Sequence, residues 1–163
     1  MRAVSAPVFD DVAALSAYAA TARAASVVLA NGCFDPLHVG HVRYLEDART
    51  HGDFLVVALN NDASTRRLKG EGRPVVGELD RAQLLAALTV VDAVLLFAAD
   101  NVEDILAALR PAVHAKGTDY TEATVPERAV AQRLGIRTVI TGDAKAHASR
   151  EIVARVRRGD SAS

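Results

Sequence analysis

Within "NGCFDPLHVGH", residues 31–41, two histidines stand three positions apart, His38 and His41, with Gly40 between them. The stretch follows an apolar run that closes on Asn31-Gly32. A helix beginning just past Asp35-Pro36 turns its unpaired amides, and the positive end of its dipole, toward whatever lies above that strand. Two imidazoles on one face of such a helix start can donate hydrogen bonds to charge gathering on a phosphorus centre. Gly40 keeps a Cβ out of a phosphate's way. By themselves the two rings also fit a polar helix surface or a metal pair, because H-x-x-H alone is a weak signal.

Other residues could share that chemistry. Lys69, Lys116 and Lys145 are the only lysines among 19 basic residues. Lys69 follows "STRRL" and is flanked by Arg66, Arg67 and Arg73, a pattern that suits either a phosphate contact or an exposed basic loop. Asn60, Asn61 and Asp62 close a second apolar run, where they could bond a sugar or simply form a turn. Arg81 stands three residues after Glu78, the spacing of a surface pair. Cys33 is the single cysteine; a small buried thiol at a strand end accounts for it without any nucleophilic role.

The elements that must position these groups alternate along the chain. Apolar, β-branched runs at 26–31, 54–60, 93–98, 112–116 and 137–141 predict five strands. Between them lie segments with apolar residues at three- and four-residue spacing, and two more helices are predicted near 10–23 and 149–158. Asp100 with Glu103, and Thr124 with Glu127, have capping-box spacing, while Gly52 and Gly135 stand where helices should stop. Residues 61–77, "NDASTRRLKGEGRPVVG", lack clear periodicity and are expected to be a long loop at the binding edge. Near-continuous apolar strands alternating with helices imply an α/β fold: a single-domain, Rossmann-like, doubly wound, five-stranded parallel sheet with helices on both faces. Ligands of such sheets bind beyond the carboxyl ends of the strands. An N-terminal helical segment over 1–25, a catalytic domain over 26–158 and a frayed tail over 159–163 complete the expected organisation.

Composition narrows the partner. The chain has 163 residues, half of them apolar, and a formal net charge of -1, which points away from nucleic acid and acidic membranes and toward a small molecule. No apolar run reaches the roughly 20 residues of a membrane span, and one cysteine agrees with a reducing, cytoplasmic setting. Neither a G-x-G-x-x-G turn nor a P-loop follows the first strand, which argues against a dinucleotide oxidoreductase and a P-loop ATPase.

"NGCFDPLHVGH" resembles the H-x-G-H signature of the nucleotidylyltransferase superfamily, which includes cytidylyltransferases and phosphopantetheine adenylyltransferase. The likeness is strongest to the adenylyltransferase domain that activates D-glycero-β-D-manno-heptose 1-phosphate. "VVALNNDASTRRLKGEGRPV", "LDRAQLLAALTVVDAVLLF" and "VHAKGTDYTEATVPE" are similar to further segments of that family, so the resemblance covers roughly residues 26–157.

It implies an enzyme that joins ATP and a sugar 1-phosphate, releasing pyrophosphate, with Mg2+ accompanying the triphosphate. It implies catalytic roles for His38, His41 and Lys69. Nucleotide contacts fall on Asn31, Gly32, Cys33, Phe34, Gly40, Lys116, Gly117, Asp119 and Ser149. Acceptor contacts fall on Asn60, Asp62, Arg73, Arg81 and Tyr120, and no protein metal ligand is assigned. Family members often carry a fused sugar kinase, so a separate kinase is expected to supply the substrate here; self-association is compatible with a small α/β enzyme. The family's Ser-Thr-Thr run is replaced by "HASREIV" at 147–153, keeping only Ser149 and adding Arg150. That departure bears on nucleotide and acceptor preference; the alternatives are a cytidylyltransferase acting on glycerol 3-phosphate or another small phosphate ester, and a non-catalytic nucleotide-binding regulatory module.

Overall fold

The computed structural model describes residues 5–143 and 149–160. Six parallel strands form one sheet: β1 (Val8–Phe9), β2 (Val27–Gly32), β3 (Phe54–Asn60), β4 (Ala93–Phe97), β5 (Val113–Gly117) and β6 (Arg137–Thr141), in the order β1-β4-β3-β2-β5-β6. The expected five are all present. The sixth, β1, pairs only Val8 with Val94 and Phe9 with Leu95, too short a run to show a period in sequence.

Strand alternation sorts the core into two layers. Val28, Ala30, Leu55, Val57 and Leu59 face one side, against Tyr44, Leu45 and Ala48 of α2 (Val39–Arg49) and Ala82, Leu85 and Ala86 of α4 (Glu78–Ala86). Leu29, Phe54, Val56 and Ala58 face the other, against Leu15 and Ala19 of α1 (Val12–Thr21), Ile105 and Leu106 of α5 (Glu103–Leu109) and Ala131 of α6 (Arg128–Arg133). Each buried leucine contributes about 1.5–3 kcal/mol, so both faces of the sheet drive its assembly. α7 (Ser149–Arg158) buries no residue. Among the described residues no helix is long and apolar enough to cross a membrane.

Two local expectations give way to other structures. Residues 62–69, expected within a loop, form α3 (Asp62–Lys69), capped by Asn61 Oδ1 on the Ser64 N–H at 2.9 Å. The helix buries Ser64 and Thr65, so its sequence shows no recurring apolar residues by which a helix could be read. Neither capping box forms. Asn101 Oδ1 accepts from the Glu103 N–H while Asp100 pairs with Arg67; Thr124 bonds Thr121, and Glu127 makes no cap bond to α6.

The chain runs outward from central β2 to β3 and β4, then returns to β5 and β6 on β2's other side. The crevice above β2 and β5 is therefore the place where strand order reverses, the usual ligand position in an open α/β sheet.

Candidate active site

A cavity of about 750 Å³ opens at that point, within the range of small-molecule sites. Every residue expected at the site lines it except Asp62 and Arg81.

The histidine wall is built by local hydrogen bonds. His38 is the N-cap of α2, extended at φ -144°, and its Nδ1 accepts from the Gly40 N–H at 3.1 Å. His41 Nδ1 accepts in turn from the His38 N–H at 3.3 Å. With both Nδ1 atoms occupied as acceptors, each neutral ring carries its proton on Nε2 and can donate there. The rings stack with centroids 3.8 Å apart. Buried Phe34, held at φ 48°, packs in an edge-type arrangement with His41, ring centroids 5.0 Å apart. Burial, then the neighbouring His38 and Lys69, push His41 down to about 3 against the pull of Asp119, so it is a neutral donor at neutral pH.

Beneath this wall lies a hydrogen-bonded floor. Asp35, 1 % exposed, accepts from the Val75 and Val76 amides at 2.8 Å each and from Arg73 Nε at 2.7 Å, and Arg73 also donates to the Asp35 carbonyl. Burial alone would raise the Asp35 carboxyl, but Arg73 and the two amides together hold it below its ordinary value. Arg73 therefore lines the cavity while anchoring residues 73–76 to the end of β2. Asn60 is likewise engaged, its Nδ2 donating to Ser64 Oγ and the Ala99 carbonyl.

Arg81 stands outside the cavity, 1 % exposed, and makes no surface pair with Glu78. It donates to the carbonyls of Cys33, Asn60 and Val76 and to Asp62 Oδ1, stitching the ends of β2 and β3 to α3 and α4. Glu78 instead accepts from the Asp62 N–H at 2.6 Å. The geometry makes Arg81 and Asp62 supports of the site rather than parts of its surface. A four-partner guanidinium has no local sequence signature.

The opposite wall rises from β5. Lys116, 5 % exposed, places Nζ 3.4 Å from Asn31 Oδ1, 3.7 Å from Glu127 Oε2 and 4.6 Å from the centre of the Tyr120 ring. His114 Nε2 meets the same Asn31 oxygen at 3.0 Å. Two donors on Asn31 Oδ1 leave its amide nitrogen to face away from them. Burial, then the nearby lysine charge, push His114 down to about 3. Glu127, buried and lining the cavity, was legible only as a helix cap. A Cβ at Gly117 would meet no protein atom within 4 Å. Lys69 reaches the rim from the last turn of α3. Ser149 Oγ donates to the Pro36 carbonyl at 3.3 Å, and Arg150 lines the cavity beside it; residues 147 and 148, like Lys145, lie outside the described residues. No group of three or more His, Cys, Asp or Glu side chains among the described residues is arranged to hold a metal ion.

The cavity thus offers imidazole donors on one wall and lysine side chains on the opposite wall and at the rim, an arrangement suited to phosphate groups. The profile of the cytidylyltransferase-like family matches residues 29–156. "Bifunctional protein HldE" of Pelobacter propionicus is 47% identical over 146 residues, covering 90% of this chain and 30% of its own length. "Bifunctional protein HldE" of Methylobacillus flagellatus is 59% identical over 99 residues, covering 61% of this chain and 20% of its own length. The chain thus spans about three-tenths or less of these relatives. The crystal structure of the lipopolysaccharide core biosynthesis protein from Thermoplasma volcanium superposes with a TM-score of 0.63 at 30% identity, covering 74% of this chain and 98% of that one. Pantothenate synthetase from Thermus thermophilus shares the fold at 17% identity and a TM-score of 0.63, covering 90% of this chain and 67% of its own. This chain belongs to the cytidylyltransferase-like family.

Proposed function

We propose that the chain transfers the adenylyl group of ATP to D-glycero-β-D-manno-heptose 1-phosphate. An oxygen of the sugar's phosphate attacks the α-phosphorus in line, the bond from that phosphorus to the bridging oxygen breaks, and pyrophosphate leaves with ADP-heptose as the other product. The observation that carries this reading is the stacked His38–His41 pair, its Nδ1 atoms occupied by backbone amides, beside a cavity also lined by Lys69 and Lys116. In-line phosphoryl-type transfer needs positioning and charge stabilisation rather than a covalent nucleophile, and Cys33 is buried beside Asn60.

In this reading His38, His41 and Lys69 meet the triphosphate, while Lys116 and Gly117 line the nucleotide's path, the open space over Gly117 supporting close approach. Magnesium, which favours phosphate and water oxygens, would come in on the triphosphate. A sugar kinase would furnish the acceptor. The choice of sugar rests on the resemblance of residues 26–157 to the heptose 1-phosphate adenylyltransferase domain and is supported by the likeness to "Bifunctional protein HldE" and to the lipopolysaccharide core biosynthesis protein.

Pyrophosphate release across a matrix of ATP, CTP, heptose 1-phosphate, other sugar 1-phosphates and glycerol 3-phosphate tests the proposal. Turnover is expected with ATP and the heptose phosphate. Turnover with CTP alone would overturn the nucleotide, and binding without any release would reduce the chain to a nucleotide-binding module.

A further inference from the structure

A site for two polyanionic substrates has little use for a buried carboxylate, which repels phosphate. Glu127 is nonetheless 2 % exposed and faces the cavity. It does not cap α6, and its one backbone contact is Oε1 with the Val102 N–H at a long 3.5 Å. Oε2 has no hydrogen-bond partner, and Lys116 Nζ lies 3.7 Å from it, an ion-pair distance rather than a hydrogen-bond one. Lys116 has lost most of its water, and Asn31 Oδ1 and the Tyr120 ring face are weak substitutes for it.

We propose that Glu127 is a positioning residue, the counter-ion that keeps the Lys116 side chain a cation at the cavity wall, ready to meet substrate phosphate. Taking an ammonium out of water favours its neutral form, and a carboxylate within about 4 Å opposes that. Burial does pull Lys116 down, with Glu127 acting in the opposite direction. The other titratable groups near Lys116 do not replace Glu127. His114 on β5 is neutral; Tyr44 on α2 and Tyr120 are raised by burial and stay protonated; Asp119 acts on His41 and Tyr120. Glu127 therefore assists a phosphate site without touching phosphate: its charge is spent on the lysine, and the lysine acts on the ligand.

The steady-state half of the test rests on the adenylyl-transfer reading; the titration half does not. With only three lysines in the chain, the Lys116 side-chain resonances can be assigned by their loss in Lys116→Met and followed against pH. In the wild type the ammonium should persist through neutral pH. In Glu127→Gln, which keeps the shape and removes the charge, it should titrate at lower pH. The KM for ATP should then climb about tenfold per pH unit above the new midpoint, with kcat changed less. In a Lys116→Met background, Glu127→Gln should add almost nothing. An unmoved lysine titration, or an equal and additive loss in the Lys116→Met background, would overturn the proposal. If Glu127→Gln does not fold, Glu127→Asp, which keeps the charge farther away, should displace the same titration by less; no displacement would count against the role. A wild type that releases no pyrophosphate would sink the adenylyl-transfer reading while leaving the titration difference to be measured.

Discussion

At the β2–α2 end of the cavity, His38 and His41 are fixed by hydrogen bonds spanning no more than three residues, whereas Lys116 at the β5 end is held by Asn31, Tyr120 and Glu127 from separate segments. The first end is set as soon as α2 starts. The second exists only when β2, β5 and the segment before α6 have come together. Their charges differ in kind as well. The histidine end works with a neutral donor, His41 being held down to about 3, and the lysine end with a buried cation. Neutral donors cost little to bury but interact modestly with phosphate; a buried ammonium interacts strongly but needs a partner while waiting.

The largest effect should come from breaking the local end. His41→Ala is expected to lower kcat by about two to four powers of ten in a folded protein, since under the proposed adenylyl transfer it removes a donor to charge at the α-phosphorus. Wild-type kcat should show no limb from His41 near pH 6.5, because the ring is already neutral there and titrates only far below. The matching sign for stability is a loss as pH falls from 6.5 toward 3, where the unfolded chain takes up a proton that the folded one refuses. Near-wild-type turnover in His41→Ala, or a kcat limb near 6.5 that disappears with it, would end this description of the histidine wall.

The same contrast explains what could be seen in the sequence. The strand–Asn-Gly–histidine segment shows its chemistry because the groups that act and the groups that hold them are neighbours in the chain. The sheet was legible for a similar reason, each long strand carrying its own apolar run. α3 was hidden because it buries Ser64 and Thr65 instead of a hydrophobic stripe, and β1 because two residues show no period. Glu127 had the spacing of a cap, and only the folded chain sets it opposite Lys116, eleven positions away in sequence. Arg81 is the plainest instance. Its i, i+3 spacing with Glu78 suggests a surface pair, yet tertiary structure buries it among three carbonyls and Asp62.

Arg81 gives the next test, because it is a tertiary support lying under the locally built end. Arg81→Met keeps much of the apolar stem and leaves the Cys33, Asn60 and Val76 carbonyls and Asp62 without their donor. A loss of about 3–5 kcal/mol is expected in urea unfolding, the usual cost of removing one member of a buried charged network. A change under about 1 kcal/mol would mean that water or rearranged side chains serve those carbonyls equally well, and that the local hydrogen bonds alone suffice to hold the site.

The smallest effect belongs to Lys69, a cation that the two ends do not share. It is exposed, at the last turn of α3 on the cavity rim, while Lys116 is buried in the wall. An exposed ammonium acts through solvent and is screened by salt within about 8–10 Å at ordinary ionic strength; a buried one is screened far less. Lys69→Ala should therefore weaken ATP binding by about three- to tenfold at low salt, with the deficit shrinking as salt is added and stability unchanged within about 0.5 kcal/mol. Lys116→Met should impair ATP binding by a factor that salt barely alters. Isothermal titration of the two variants at low and high salt makes the comparison, and equal salt sensitivity would remove the distinction between a steering cation at the rim and a held cation in the wall.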